Sequence, residues 1–240
     1  MSLVVTASLL ESGLVDLETR LPCSIRIDPQ TSALDQESFI ARRHVDLVAA
    51  INCGCQSLLD QASQLIDATA FLGFCKQIGF GRGLGSVPPG RFPQEEKRDL
   101  LPLLRGEDLD LRPSPLELLR LAALIGTGGG LPLLHSAEEM RSGKEPVDPQ
   151  FAKSTWQCLR NAMCSSSAAR SISRPNSESA LQIGAWHSST QPYSGLANVV
   201  IGFFPASQPC YAFYASQPAV SEADDRFSLV RRHLFAQPWP

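Results

Sequence analysis

Apolar residues open the chain with almost no polar face: Leu3, Val4, Val5, Ala7, Leu9 and Leu10 lead up to Gly13. A helix that is apolar all round belongs in a core, and a glycine suits its C-terminal end, so the pattern predicts a buried helix from Met1 to Gly13. Chain ends usually lie at the surface, and a start of this kind predicts missing sequence upstream. From Val15 to Arg43 the periodicity fades among Pro22, Asp28 and Pro29, which predicts loop with short strands. Helical spacing returns between Val45 and Ile78, through Leu58, Leu59, Ala62, Leu65 and Ile66 and then Ala70, Phe71, Phe74 and Ile78. Asp67 is suited to cap the second of these two helices. The run Gly79-Phe80-Gly81-Arg82-Gly83-Leu84-Gly85 comes next, followed by Pro88 and Pro89. A phosphate cradle needs a strand before its glycines and a helix after them; here a helix precedes and prolines follow, so the run reads as a turn.

Ser114-Pro115-Leu116-Glu117 has the residues of a capping box with proline at the first helical position. The apolar helix it opens, Leu118 to Ile125, is stopped by Gly126 and by Gly128-Gly129-Gly130. Asp148-Pro149 predicts another helix start, with Phe151, Trp156, Leu159 and Met163 on one side. Ser165 to Ser179, rich in serine and arginine, predicts a mobile loop. The β signal comes late: Leu196 to Phe204 and Cys210 to Ala215 flank the Pro205–Pro209 punctuation and predict a hairpin. Ser221 then caps a last helix carrying Phe227, Val230 and Leu234. Helices early and strands late predict an α+β fold.

Composition narrows the function classes. With 240 residues, 43% of them hydrophobic and 19% charged, the chain has the makings of a folded, soluble protein with a true core. Its 21 Lys+Arg against 24 Asp+Glu give a net charge of −3, which excludes the cationic excess that nucleic acid selects. The chain has no leader with a cleavage site and no apolar run long enough to span a bilayer, which predicts no export or anchoring and a cytoplasmic location if Met1 is the natural start. Seven cysteines, an odd number without framework or zinc-finger spacing, leave at least one thiol free.

The order of several segments resembles the transpeptidase domain of penicillin-binding proteins, serine acyl-enzymes of the β-lactamase and DD-peptidase type. Leu3 to Pro22 is similar to the family segment just after the nucleophile, Gly79-Phe80-Gly81-Arg82 to its Gly-Phe-Gly-Arg turn, Arg112 to Leu118 with Gly128-Gly129-Gly130 to its Thr-Pro-Leu-Gln-Leu helix, and Ile201-Gly202-Phe203-Phe204-Pro205 to its Val-Gly-Phe-x-Pro strand. The resemblance runs from residue 1 to about residue 216. It implies an antiparallel sheet covered by helices, lacking its N-terminal strands, in a single domain spanning 1–240, with a helical subregion from about 45 to 125 and late strands plus a C-terminal helix from about 181 to 236.

The family chemistry rests on a serine three residues before a lysine, a Ser-x-Asn and a Lys-Thr-Gly, which activate the nucleophile, position the amine and hold the substrate carboxylate. No serine precedes any of Lys76, Lys97, Lys144 or Lys153 by three residues, and Met1 falls where the motif lysine belongs. Ser-x-Asn is matched by Cys53-Gly54-Cys55, which lacks hydroxyl and carboxamide. Lys-Thr-Gly-Thr is matched by His187-Ser188-Ser189-Thr190, which keeps hydroxyls but replaces the lysine with histidine. The resemblance thus implies a catalytically degenerate domain with a structural or binding role. Its ligand positions are Cys53, Cys55, His187, Ser188, Ser189 and Thr190, with no catalytic residue, metal or cofactor. Its partners are a peptidoglycan stem peptide or another cell-wall protein, with strand pairing to a second chain, on the periplasmic side. The alternative is the C-terminal part of an active or split D,D-transpeptidase whose nucleophile lies outside the chain. Two further readings of the same positions are a thiolate of Cys53 or Cys55 with His187 as base, and a zinc site built on these residues.

Overall fold

The computed structural model describes residues 1–23, 44–53, 55–83, 87–94, 99–108, 110–130, 151–166, 168–169, 183–189 and 196–218. The opening apolar run forms helix α1 (Ser2–Glu11), in which Leu3, Val4, Val5, Thr6, Ala7, Ser8 and Leu9 are all buried. Strand β1 (Arg20–Pro22) pairs antiparallel with β2 (His44–Asp46), Leu21 facing Val45 across the ladder. His44 is an exposed residue of that strand. β1 falls in the stretch expected to hold short strands, and β2 lies just beyond it.

Five helices follow among the described residues: α2 (Leu47–Asn52), α3 (Gln56–Leu65), α4 (Ala68–Gln77), α5 (Leu100–Arg105) and α6 (Pro115–Gly126). Asp67 caps α4 as expected, its carboxylate accepting from the Ala70 N–H at 2.7 Å. Ser114 and Glu117 form the complete capping box of α6, with Pro115 in its first turn. Gly128 and Gly129, with φ of +73° and +102°, turn the chain away from the end of α6.

Helix α7 (Lys153–Ser165) buries Trp156, Leu159 and Met163 completely. It begins later than expected: Ala152 is its N-cap, and the Ala152 N–H donates to both carboxylate oxygens of Glu11 at 3.1 Å. Asp148 and Pro149 lie outside the described residues, as do the segment from Ser221 onward and most of the serine-rich stretch. The start of that stretch is helical at Ser165 and at Ala168–Ala169 instead of loop. Ser165 ends α7, Ser166 is buried, and Ala168 and Ala169 sit at 1% and 2% exposure.

The late strands form an antiparallel sheet in the order β3 (Gly184–Ser189), β4 (Leu196–Phe204), β5 (Tyr211–Pro218). Side chains alternate across β4. Ile201 and Phe203 join the main helical core, while Val200 and Phe204 join a second cluster with Ile183, Ala185, Ala168 and Ala169. Helix α6 packs on β4 and β5, α7 packs on β3, and α1 lies against α2, α3, α4, α5 and α7. Among the described residues, helices cover one face of the sheet and the alanine pair packs on the other. Gly202 has a specific steric reason: a Cβ there would clash with the edge of the Phe213 ring and lie 2.5 Å from the Gly184 carbonyl oxygen. No described helix is long and apolar enough to cross a membrane.

Candidate functional site

The loop predicted to carry ligand positions is built from β1, β2 and α2. Pairing of Arg20 with Asp46 ends the short ladder, and the Asp46 carboxylate then caps α2 by accepting from the Ala49 N–H at 2.7 Å. Helix α2 stops at Cys53, whose N–H still reaches the Ala49 carbonyl at 2.9 Å. Cys55 follows as the N-cap residue of α3, its N–H on the Ala50 carbonyl at 3.0 Å and its side chain buried. The two cysteines are thus the closing and opening residues of consecutive helices.

A residue outside the predicted set joins them. Cys23, the first residue after β1, lies with its Sγ 3.7 Å from the Cys53 Sγ, and Cys55 follows two residues beyond Cys53. Burial pushes the Cys23 thiol well above its ordinary range, reinforced by Cys55 and Cys53 beside it. Burial also raises the Cys53 thiol, partly offset by the hydrogen bond from Cys23. Cys23 and Cys53 are therefore protonated thiols near neutral pH, the opposite of the depressed value that activates a nucleophilic cysteine. Among the described residues no group of three or more His, Cys, Asp or Glu is arranged to hold a metal ion.

The second half of the predicted set lies on β3. His187, Ser188 and Ser189 stand in register with Val200, Val199 and Asn198 of β4, and Thr190 falls outside the described residues. Two hydrogen bonds through the end of α7 connect the cysteine loop to this strand. The Asn52 side-chain amide donates to Ser165 Oγ at 2.9 Å, and the Ser166 hydroxyl donates to the Ala185 carbonyl two residues before His187. Ser166 Oγ also accepts from the Ala169 N–H at 3.0 Å. The serines read as loop formers are in fact the couplers between α2, α7 and β3. Their signal was hidden because serine favours loops and local backbone bonds alike.

The Gly-Phe-Gly-Arg turn is also fastened at a distance. Buried Glu117 accepts from Gly81 N–H at 2.7 Å, from Gly90 N–H at 3.3 Å and from Ser114 N–H at 2.6 Å. The Gly81 amide that a phosphate cradle would use is already committed to a carboxylate. An open groove of about 480 Å³ lies elsewhere, lined by Leu17, Arg20, Asp46, Val48, Gln157 and Asn161 among others, and includes none of the predicted ligand positions.

The fold is that of a penicillin-binding-protein transpeptidase-like domain. Penicillin-binding protein PBP2 from Helicobacter pylori matches with a TM-score of 0.68 at 20% identity, covering 90% of this chain and 44% of that one. The same H. pylori protein in complex with MreC matches at 0.67 and 20% identity over 89% of this chain and 44% of that one. Penicillin-binding protein A from M. tuberculosis, solved as a ceftriaxone acyl-enzyme, matches at 0.66 and 16% identity over 90% of this chain and 53% of that one. The chain thus spans about half the length of these solved structures. No protein-family model and no curated protein matches it.

Proposed function

We propose that this chain is a catalytically degenerate, bacterial penicillin-binding-protein-like domain that serves the cell wall in a structural or binding role. The observation that carries the reading is a contrast. The transpeptidase-like fold extends over 90% of the chain, yet the loop aligned with Ser-x-Asn carries Cys53 and Cys55, and burial holds the Cys53 proton in place. A serine and a carboxamide there would relay a proton; a protonated, half-buried thiol does not. On this reading residues 1–240 are one domain in which no residue is catalytic, and Cys53, Cys55, His187, Ser188, Ser189 and Thr190 are its degenerate ligand positions. With histidine replacing the lysine, recognition of a stem-peptide carboxylate falls to the hydroxyls of Ser188 and Thr190. The H. pylori complex of PBP2 with MreC supports a second cell-wall protein as partner, and on this reading the domain works on the periplasmic side.

The test is incubation of the chain with a fluorescent penicillin, read by gel fluorescence and intact mass. The expected result is an unmodified chain alongside weak, saturable binding of a stem peptide. A stoichiometric acyl adduct on the chain alone overturns the reading. An adduct that appears only when a second polypeptide supplies a Ser-x-x-Lys segment supports the alternative, an active or split D,D-transpeptidase of which this is the C-terminal part.

A further inference from the structure

Cys23 and Cys53 are 30 residues apart in sequence, and their sulfurs touch at 3.7 Å. The fold creates this contact by two separate devices, the β1–β2 ladder that delivers Cys23 and the end of α2 that delivers Cys53. Besides that contact, the Cys53 sulfur makes a long 3.6 Å approach to the Ala50 carbonyl. A disulfide needs the sulfurs about 1.7 Å closer, within reach of side-chain torsion when they already touch. Cys55, the buried N-cap residue of α3 two positions after Cys53, adds a third thiol beside the pair. No metal-holding arrangement competes for these groups among the described residues.

We propose that Cys23 and Cys53 form a dithiol–disulfide site that a small disulfide oxidant closes, with Cys55 as the exchange partner for Cys23. One protein thiol loses its proton to solvent and attacks a sulfur of oxidised glutathione, and a glutathione thiolate leaves. The second thiol loses its proton and attacks the protein sulfur of the mixed disulfide, releasing the second glutathione. Two electrons pass from the two cysteines to the oxidant, giving one protein disulfide and two reduced glutathiones. The bond ties the chain after β1 to the loop between α2 and α3. Attack by the Cys55 sulfur on Cys23 moves the bond and frees Cys53. Burial keeps Cys23 and Cys53 protonated, which makes closure slow near neutral pH and faster as pH rises. The inference stands on this geometry and holds whether or not the domain binds a cell-wall ligand.

The experiment treats the full, fully reduced chain with oxidised glutathione and maps the product by intact mass and non-reducing peptide analysis. The expected result is loss of two hydrogens, located at Cys23–Cys53 or Cys23–Cys55, with a melting temperature raised by about 5–10 °C. Cys53→Ala is expected to shift the bond wholly to Cys23–Cys55, and Cys23→Ala to abolish both the mass change and the thermal shift. Seven free thiols after oxidation, a lasting glutathione adduct at Cys23, or a bond mapped to other cysteines overturns the proposal. The map of the unaltered chain decides it even if a variant does not fold.

Discussion

Glu117 Oε1 accepts the Gly81 N–H at 2.7 Å across 36 residues of sequence, joining the cap of α6 to the Gly-Phe-Gly-Arg turn. Because Glu117 is only 3% exposed and also serves Gly90 and Ser114, its removal strands three backbone donors. Glu117→Ala should lower unfolding free energy by about 2–4 kcal/mol in urea titrations. Glu117→Gln, which keeps one acceptor oxygen, should lose about half of that. Equal losses in the two variants would show that the carboxylate's acceptors are not what holds the turn.

At Gly202 the constraint is steric. A methyl group there enters the space of the Phe213 ring, so Gly202→Ala should cost about 1–3 kcal/mol by overpacking. The double variant Gly202→Ala with Phe213→Leu should recover part of the loss, checked by thermal melts of all three variants. A neutral single variant would contradict the close strand-to-strand fit.

The link from Asn52 to Ser165 couples α2 to α7 at 2.9 Å on an exposed site. A double-mutant cycle with Asn52→Ala and Ser165→Ala should give a coupling of about 0.5 kcal/mol, the order expected of an exposed neutral hydrogen bond. Strict additivity of the two single losses would mean that the bond contributes nothing in solution.

Several thiols share one pH signature. Cys75 is fully buried, and its thiol is raised from an ordinary 9.0, as are those of Cys23 and Cys53, with burial the first cause in each. A raised thiol means that the folded chain keeps protons the unfolded chain has released. Stability should therefore be independent of these groups below pH 9 and fall steadily above it. Urea titrations between pH 7 and about pH 10.5 test this, and Cys75→Ala should flatten the alkaline slope. A stability curve level through that range would remove the case for buried, proton-holding thiols.

Local chemistry was legible in the sequence and distant chemistry was not. Asp67 and Ser114 were readable as caps because a cap acts within three residues of itself. The hairpin of β4 and β5 was readable from β-branched and aromatic runs around a proline-rich turn. Cys53 and Cys55 could be marked only by resemblance, and Cys23 carried no mark, because its meeting with Cys53 depends on a three-residue ladder. Glu117 showed its role in the cap but not its hold on Gly81 and Gly90. The buried Ala168–Ala169 pair was masked by the serines around it, whose hydroxyls satisfy the turn that sets the pair under the sheet.

Helix α1 has no outward side, and its last residue, Glu11, receives the Ala152 amide from 141 positions along the chain. A ribosome making this polypeptide releases the greasiest cylinder long before its final wrapping exists. Until α7 emerges, that surface is open to neighbours, and yield should depend on how well the growing polypeptide is shielded, more than on the finished molecule's thermodynamic margin.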